Sequence, residues 1–156
     1  YAGELSENRA MLASVRGALE RGVPCIAECG GFMYLTESID GMPMAGFLPG
    51  TCRDMGRLTR FGYVTLTAKG DNLLCRRGES IRVHEFHRWD TPDPGGDFTA
   101  AKANGRAWDC VYATERLYAG FPHFHFCANP AFAENFYQAC LKEKHRNDSK
   151  TAANGD

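Results

Sequence analysis

The 156-residue chain is short of several things whose absence narrows what it can be. It has almost no net charge: 18 basic and 19 acidic side chains leave −1. That excludes the domain-wide positive field that holds nucleic acid or an anionic membrane. No apolar run approaches membrane-spanning length, and no signal-peptide pattern opens the chain. A cytoplasmic location, with no membrane and no nucleic-acid partner, is the expectation. There is no C-x-x-C pair among the seven cysteines, whose number is odd and spacing irregular. Both a secreted disulfide framework and a zinc ribbon are therefore disfavoured. Most of these cysteines read as small buried apolar residues in a reducing compartment. Internal repeats are also lacking. What is present is 44% hydrophobic content with 17 Gly and 7 Pro. That composition suits one globular domain with a real core, many turns and short elements.

The hydrophobic pattern changes along the chain. From Ser6 to Arg21, Met11, Leu12, Val15, Ala18 and Leu19 recur at helical spacing. Ser6 can cap the start and Gly22 suits a left-handed stop. Val23-Pro24-Cys25-Ile26-Ala27 is the short apolar run of a buried parallel strand. Phe32 to about Ile39 resumes a helical look, so helix, strand, tight turn and helix follow in order. From Met42 to Ala119 the chain reads as largely antiparallel. Strands are expected at Tyr63–Thr67, Glu79–Trp89 and Trp108–Thr114, with turns at Lys69–Asn72, Pro92–Gly96 and around Gly105. Asn129 can cap a last helix whose first turn holds Pro130, with Phe132, Phe136, Tyr137, Cys140 and Leu141 as its apolar face. From His145 to Asp156 the chain is polar and small and reads as a frayed or disordered tail.

The strand-to-helix junction carries the first chemical signal, in Ala27-Glu28-Cys29-Gly30-Gly31. A nucleophile elbow holds its reactive residue in a strained turn and needs small residues two before and two after it. Ala27 and Gly31 hold those positions. A following helix would point its N-terminus at Cys29 and favour the thiolate, and the Gly30 amide could donate to an oxyanion. Taken alone, the turn is equally compatible with a buried cysteine beside glycines.

A nucleophilic cysteine needs a base, which is usually histidine and often distant in sequence. Five histidines are available. His145 sits among charges near the C-terminus and reads as solvated. His123 and His125 lie in Gly120-Phe121-Pro122-His123-Phe124-His125-Phe126, a strand end whose alternation puts both on one face and Phe124 on the other. His84 and His87 lie in Arg82-Val83-His84-Glu85-Phe86-His87. A zinc site could draw on these four. H-E-x-H on a strand pattern is, however, not the helical H-E-x-x-H motif, so no metal is assigned.

Four segments together resemble the glutamine amidotransferase domain of cobyrinic acid a,c-diamide synthases: Glu4–Asn8, Ala27–Leu35, Arg82–His87 and Gly120–Phe126, with Arg60-Phe61-Gly62-Tyr63 as a weaker fifth. They cover most of residues 1 to 140 in the family's order, and E-C-G-G-x-M-Y-L is the most specific. The related cobyric acid synthases usually carry glutamine where Met33 stands, which favours the a,c-diamide branch. The resemblance implies an α/β fold of the class I glutamine amidotransferase-like (flavodoxin-like) type, a three-layer sandwich with a mixed sheet, lacking its first strands.

The resemblance also implies roles. Cys29 matches the nucleophile and His123 the histidine that activates it. Gly30, Gly31, His84, Glu85, His87 and His125 are the candidates for oxyanion and substrate binding. Triad enzymes of this fold carry a glutamate two residues after the histidine. His125 stands there instead, as the corrinoid branch leads one to expect, so His123 needs another orienting partner. Residues 1–145 are expected to be the C-terminal part of the domain and 146–156 the tail. The implied partners are glutamine and, through a separate synthetase domain, a corrinoid. That domain would use ATP and Mg²⁺, and no cofactor is expected in this chain. A homo-oligomer is possible. The competing readings are the same chemistry serving another tetrapyrrole, such as a nickel-sirohydrochlorin, and a non-catalytic domain that keeps the fold for interaction.

Overall fold

The computed structural model describes residues 1–153, with side chains through Ser149; residues 154–156, the end of the expected tail, lie outside the described residues. The first helical stretch is two helices, α1 (Ala2–Glu7) and α2 (Arg9–Glu20). The break is at Asn8, whose Oδ1 accepts from the Met11 amide at 3.1 Å. Asn8, rather than Ser6, is thus the cap of α2, and Ser6 is buried inside α1. Asparagine suits this position because its short carboxamide reaches an otherwise orphaned amide. Gly22 ends α2 as expected, at φ 80°, with its amide on Leu19 O and the Val23 amide on Ala18 O.

The chain then enters β1 (Cys25–Glu28), turns at Cys29 and forms α3 (Gly30–Leu35). Short strands follow: β2 (Ser38–Ile39), β3 (Met42–Pro43) and β4 (Thr51–Asp54). The long hairpin is β5 (Arg60–Ala68) against β6 (Ser80–His87), with Tyr63 opposite His84 and Gly62 opposite Glu85. After β7 (Trp89–Asp90) come β8 (Phe98–Ala101), β9 (Ala107–Cys110), β10 (Tyr112–Ala113), β11 (Leu117–Gly120) and β12 (His123–Phe124). A 3₁₀ turn, Phe126–Ala128, leads into α4 (Pro130–Ala153).

The strands form three open sheets, ordered β1-β11-β10, β12-β6-β5-β8-β9 and β3-β2-β4-β7. β1 pairs β11 in parallel, and so does β2 with β4; the remaining ladders are antiparallel. The α/β class is as expected. The β1–β11 pair separates two cores. Tyr118 and Ile26 face one, built on Leu66, Val83, Phe98 and Phe132. Ala27, Leu117 and Ala119 face the other, with Leu12, Leu19, Phe32 and Phe121. A parallel pair covered on both faces favours apolar residues, and that is why β11 and the part of β1 before Glu28 read as apolar runs.

Four further expectations are corrected. The strand expected over Trp108–Thr114 is divided at Val111, a fully buried residue held at φ 71°. Its amide donates to Pro94 O at 2.6 Å and it bridges to Gly95, so the chain changes sheets there. The carboxamide of Asn129 donates to Ser80 O at 3.1 Å, tying the start of α4 to β6 rather than capping it. Tyr137, expected on the apolar face of α4, is 55% exposed. The helix itself runs on past His145, where the polar composition pointed to a tail. Buried Glu143 takes Arg116 at 3.2 Å and Arg146 at 2.7 Å, and Arg146 also donates to Arg21 O. These bonds anchor a stretch that composition alone reads as solvated.

Gly120, beside the Cys29 turn, tolerates no side chain. A Cβ there would lie 2.7 Å from Val111 Cγ2, and Val111 is held at both neighbours. Gly120→Ala is expected to cost about 1–3 kcal/mol of folding stability through overpacking, read as a lower urea midpoint at unchanged slope.

Candidate active site

The candidate site is assembled where β1 and β11 end. Their register sets Glu28 opposite Gly120, and the Cys29 amide extends the ladder by donating to Gly120 O at 2.8 Å. Cys29 then sits at φ 48°, ψ −105°, outside the helical and strand regions. For a residue with a side chain this is a strained conformation. The Cys29 carbonyl already accepts from the Met33 amide at 3.0 Å, so the turn is closed from both sides. The elbow expected from Ala27-Glu28-Cys29-Gly30-Gly31 is present in the backbone. The small-residue requirement is milder than expected at Gly31, where a Cβ would meet that of Ala27 at an ordinary 3.7 Å. Gly30 faces open space on its side-chain side.

The electrostatics of Cys29 differ from the expected bias toward thiolate. Burial pushes its thiol up from the usual range; the Gly30 amide, bonded to the sulfur, pulls it down, and the Glu28 carboxylate adds a further upward push. α3 has only six residues, too short for a developed helix dipole to reverse this. In the free protein Cys29 is a protonated thiol at neutral pH.

His123 enters from β12, three residues past Gly120, and pairs with His84 across the ladder. Its Nδ1 lies 3.9 Å from Glu28 Oε2, and Glu28 Oε1 accepts from the Phe124 amide at 2.8 Å. Glu28, which pattern reading did not select, is therefore part of the site. The available signal was an acid closing an otherwise apolar strand. Phe124 turns inward against Tyr118 and Phe132, as the alternation required. His125 is exposed. His84, His123 and His125 line one groove of about 670 Å³ with Tyr63 and Arg82. His84 stands edge-on to Phe61 and Tyr63, and Arg82 lies over the Tyr63 ring.

Glu85 and His87 do not share that groove. Adjacent residues of a strand point to opposite faces, so His84 faces outward while Glu85 and His87 are buried. The same alternation separates His87 from the other three histidines considered for zinc. His87 stacks on Phe121 at 4.0 Å and donates from Nδ1 to Trp89 O at 2.7 Å. Its Nε2 faces Glu85 Oε1 at 4.0 Å. Burial lowers the imidazole and raises the carboxyl to about 7, against the opposing pull of Arg60. Burial thus opposes charge on both members of the pair that backs the groove.

Residues 1–131 match the model of the CobB/CobQ-like glutamine amidotransferase domain. Cobyrinate a,c-diamide synthase of Fusobacterium nucleatum is 37% identical over 147 residues, covering 88% of this chain and 32% of that protein. The Salmonella typhimurium protein of the same name is 36% identical over 152 residues, covering 91% and 33%. The chain thus spans about a third of the length of these relatives. A crystal structure of a glutamine amidotransferase superposes with a TM-score of 0.58 at 19% identity, over 88% of this chain and 72% of that one. The fold is the amidotransferase fold expected from the sequence.

The Glu85 carboxyl has a defined pH signature. Its folded value of about 7 exceeds the ordinary 4.5, so the native state binds the proton more tightly than the unfolded chain does. Stability conferred by this group is present at low pH and declines as pH rises through that window, by an amount on the order of 3 kcal/mol. Glu85→Gln removes this decline. The stability of the variant relative to wild type should rise between pH 4.5 and about 7 and then level off, measured by urea unfolding across pH.

Proposed function

Because the chain belongs to the CobB/CobQ-like glutamine amidotransferase family, we propose that it hydrolyses glutamine at Cys29 and supplies the ammonia to a synthetase domain. The observation that carries this reading is the backbone of Cys29, held at φ 48° between β1 and α3 with its amide on Gly120 O at the end of β11. Cys29 Sγ attacks the side-chain amide carbon of glutamine. Its proton passes to the imidazole of His123 and then to the leaving nitrogen, so that ammonia departs and a glutamyl thioester remains. Water, deprotonated by His123, cleaves the thioester to glutamate and restores the thiol. The Gly30 amide is the candidate donor to the oxyanion. Because the resting thiol is protonated, a base is required in the first step.

The names of the relatives support cobyrinate as the acceptor, amidated at its a and c carboxylates. The ammonia is then consumed by an ATP-dependent ligation in a domain outside this chain, where ATP and Mg²⁺ would bind. The seven cysteines are all free, one of them exposed, which suits a reducing compartment such as the cytoplasm.

A glutamine-analogue electrophile should modify Cys29 in preference to the other six cysteines, as read by peptide mass spectrometry. Cys29→Ala should abolish glutamine hydrolysis, and His123→Ala should lower kcat by roughly 10²–10⁴. Labelling spread evenly over the cysteines would instead support a domain that keeps the fold without the chemistry.

A further inference from the structure

His123 lacks an acid at the position two residues onward, where His125 stands. From the geometry we infer that Glu28, the residue immediately before the nucleophile, is the positioning carboxylate of His123. The inference rests on the glutaminase reading for its kinetic consequence, though not for its geometry.

Glu28 is well placed to hold an imidazole in one orientation. Its backbone is fixed in the β1–β11 ladder opposite Gly120, and one carboxylate oxygen is fixed by the Phe124 amide at 2.8 Å. The other oxygen therefore has little freedom and lies 3.9 Å from His123 Nδ1. Among the described residues it is the carboxylate within ion-pair distance of that ring. The other titratable groups facing His123 are His84 across the ladder, and His87 and His125 nearby, together with Arg82 and Tyr63 in the groove. None of these is a carboxylate. An approach of about 1 Å brings Oε2 and Nδ1 to charge-assisted hydrogen-bond distance, and such bonds are commonly long before substrate arrives.

The consequence is a choice of tautomer. With its proton on Nδ1, facing Glu28, the ring presents an unprotonated Nε2 that can accept the Cys29 proton. When that proton arrives, the carboxylate stabilises the resulting imidazolium. The same carboxylate opposes ionisation of the Cys29 thiol in the free protein. Glu28 thus acts in opposite directions on the two partners, restraining the resting thiol and supporting the transferred proton. Storing the nucleophile as a thiol protects it from alkylation and oxidation until glutamine is bound.

Glu28→Gln separates positioning from structure. The Gln carbonyl can still accept from Phe124, while its amide in place of Oε2 offers a donor to Nδ1 and favours the wrong tautomer. In the 156-residue chain, side-chain ¹⁵N NMR well above the imidazole titration range should show His123 protonated on Nδ1 in wild type and on Nε2 in E28Q. The kcat for glutamine should fall on the order of 10²-fold or more. Alkylation of Cys29 by iodoacetamide should become faster at a fixed neutral pH. Wild-type His123 protonated on Nε2 overturns the inference without recourse to any variant. So does an E28Q protein with an unchanged tautomer or wild-type kcat. If wild type shows no glutaminase activity, the functional reading fails separately, and the tautomer comparison still decides the role of Glu28.

Discussion

The parallel pairing of β1 with β11 is the constraint on which the site depends. It is buried on both faces and leaves no tolerance in register, because a shift by one residue would exchange the sides facing the two cores. The register places Glu28 opposite Gly120, and the hydrogen bond from the Cys29 amide to Gly120 O carries the ladder one residue further. Everything catalytic in the proposal is then close to that bond in sequence. Glu28 and Cys29 lie on one side of it, and His123 follows three residues after Gly120 on the other. The strain at Cys29 is sustained by this arrangement, since its amide and its carbonyl are both engaged.

A second titratable pair lies behind the groove. Glu85 and His87 are both almost fully buried, and Glu85 Oε2 and His87 Nε2 have no hydrogen-bond partner among the described residues. Burial drives the two toward neutrality from opposite directions, the acid upward and the base downward. Ionising either one alone would place an uncompensated charge in a low-dielectric interior. The stacking of His87 on Phe121 connects this pair to the segment that delivers His123. The short H-E-x-H sequence therefore serves two faces of β6. His84 belongs to the groove, and Glu85 and His87 belong to the packing that supports the strand.

Much of the fold was legible in the chain. The β1 strand, the hairpin strands, the Gly22 stop and the start of α4 at Pro130 follow from local chemistry, in which each residue acts on its immediate neighbours. The elements misread are those whose boundaries are set by distant partners. Strands β9 and β10 separate at Val111 because Pro94 and Gly95 hold that residue. α4 continues past His145 with Glu143 tied to Arg116 of a remote loop. Asn129 turns to Ser80, 49 residues away. Asn8 is the exception, a local cap missed because Ser6 offered an equally plausible one two residues earlier.

The choice of Cys29 as candidate nucleophile was a local matter. Small residues around Cys29 on a strand-to-helix turn state a backbone requirement that only a few positions in any chain can meet, and the family segments reinforced it. The orientation of its proposed base, His123, was not. The sequence showed that the usual acid is replaced by His125, and no rule of spacing could say what stands in for it. Glu28 is 95 residues from His123, and the two meet only because a parallel ladder brings the ends of β1 and β11 to the same edge. Parallel pairing joins segments that need a long crossover between them, so its register carries no signature in the intervening chain. Residue chemistry and local backbone preference were readable from the sequence, while the contact between acid and base was decided by tertiary structure alone.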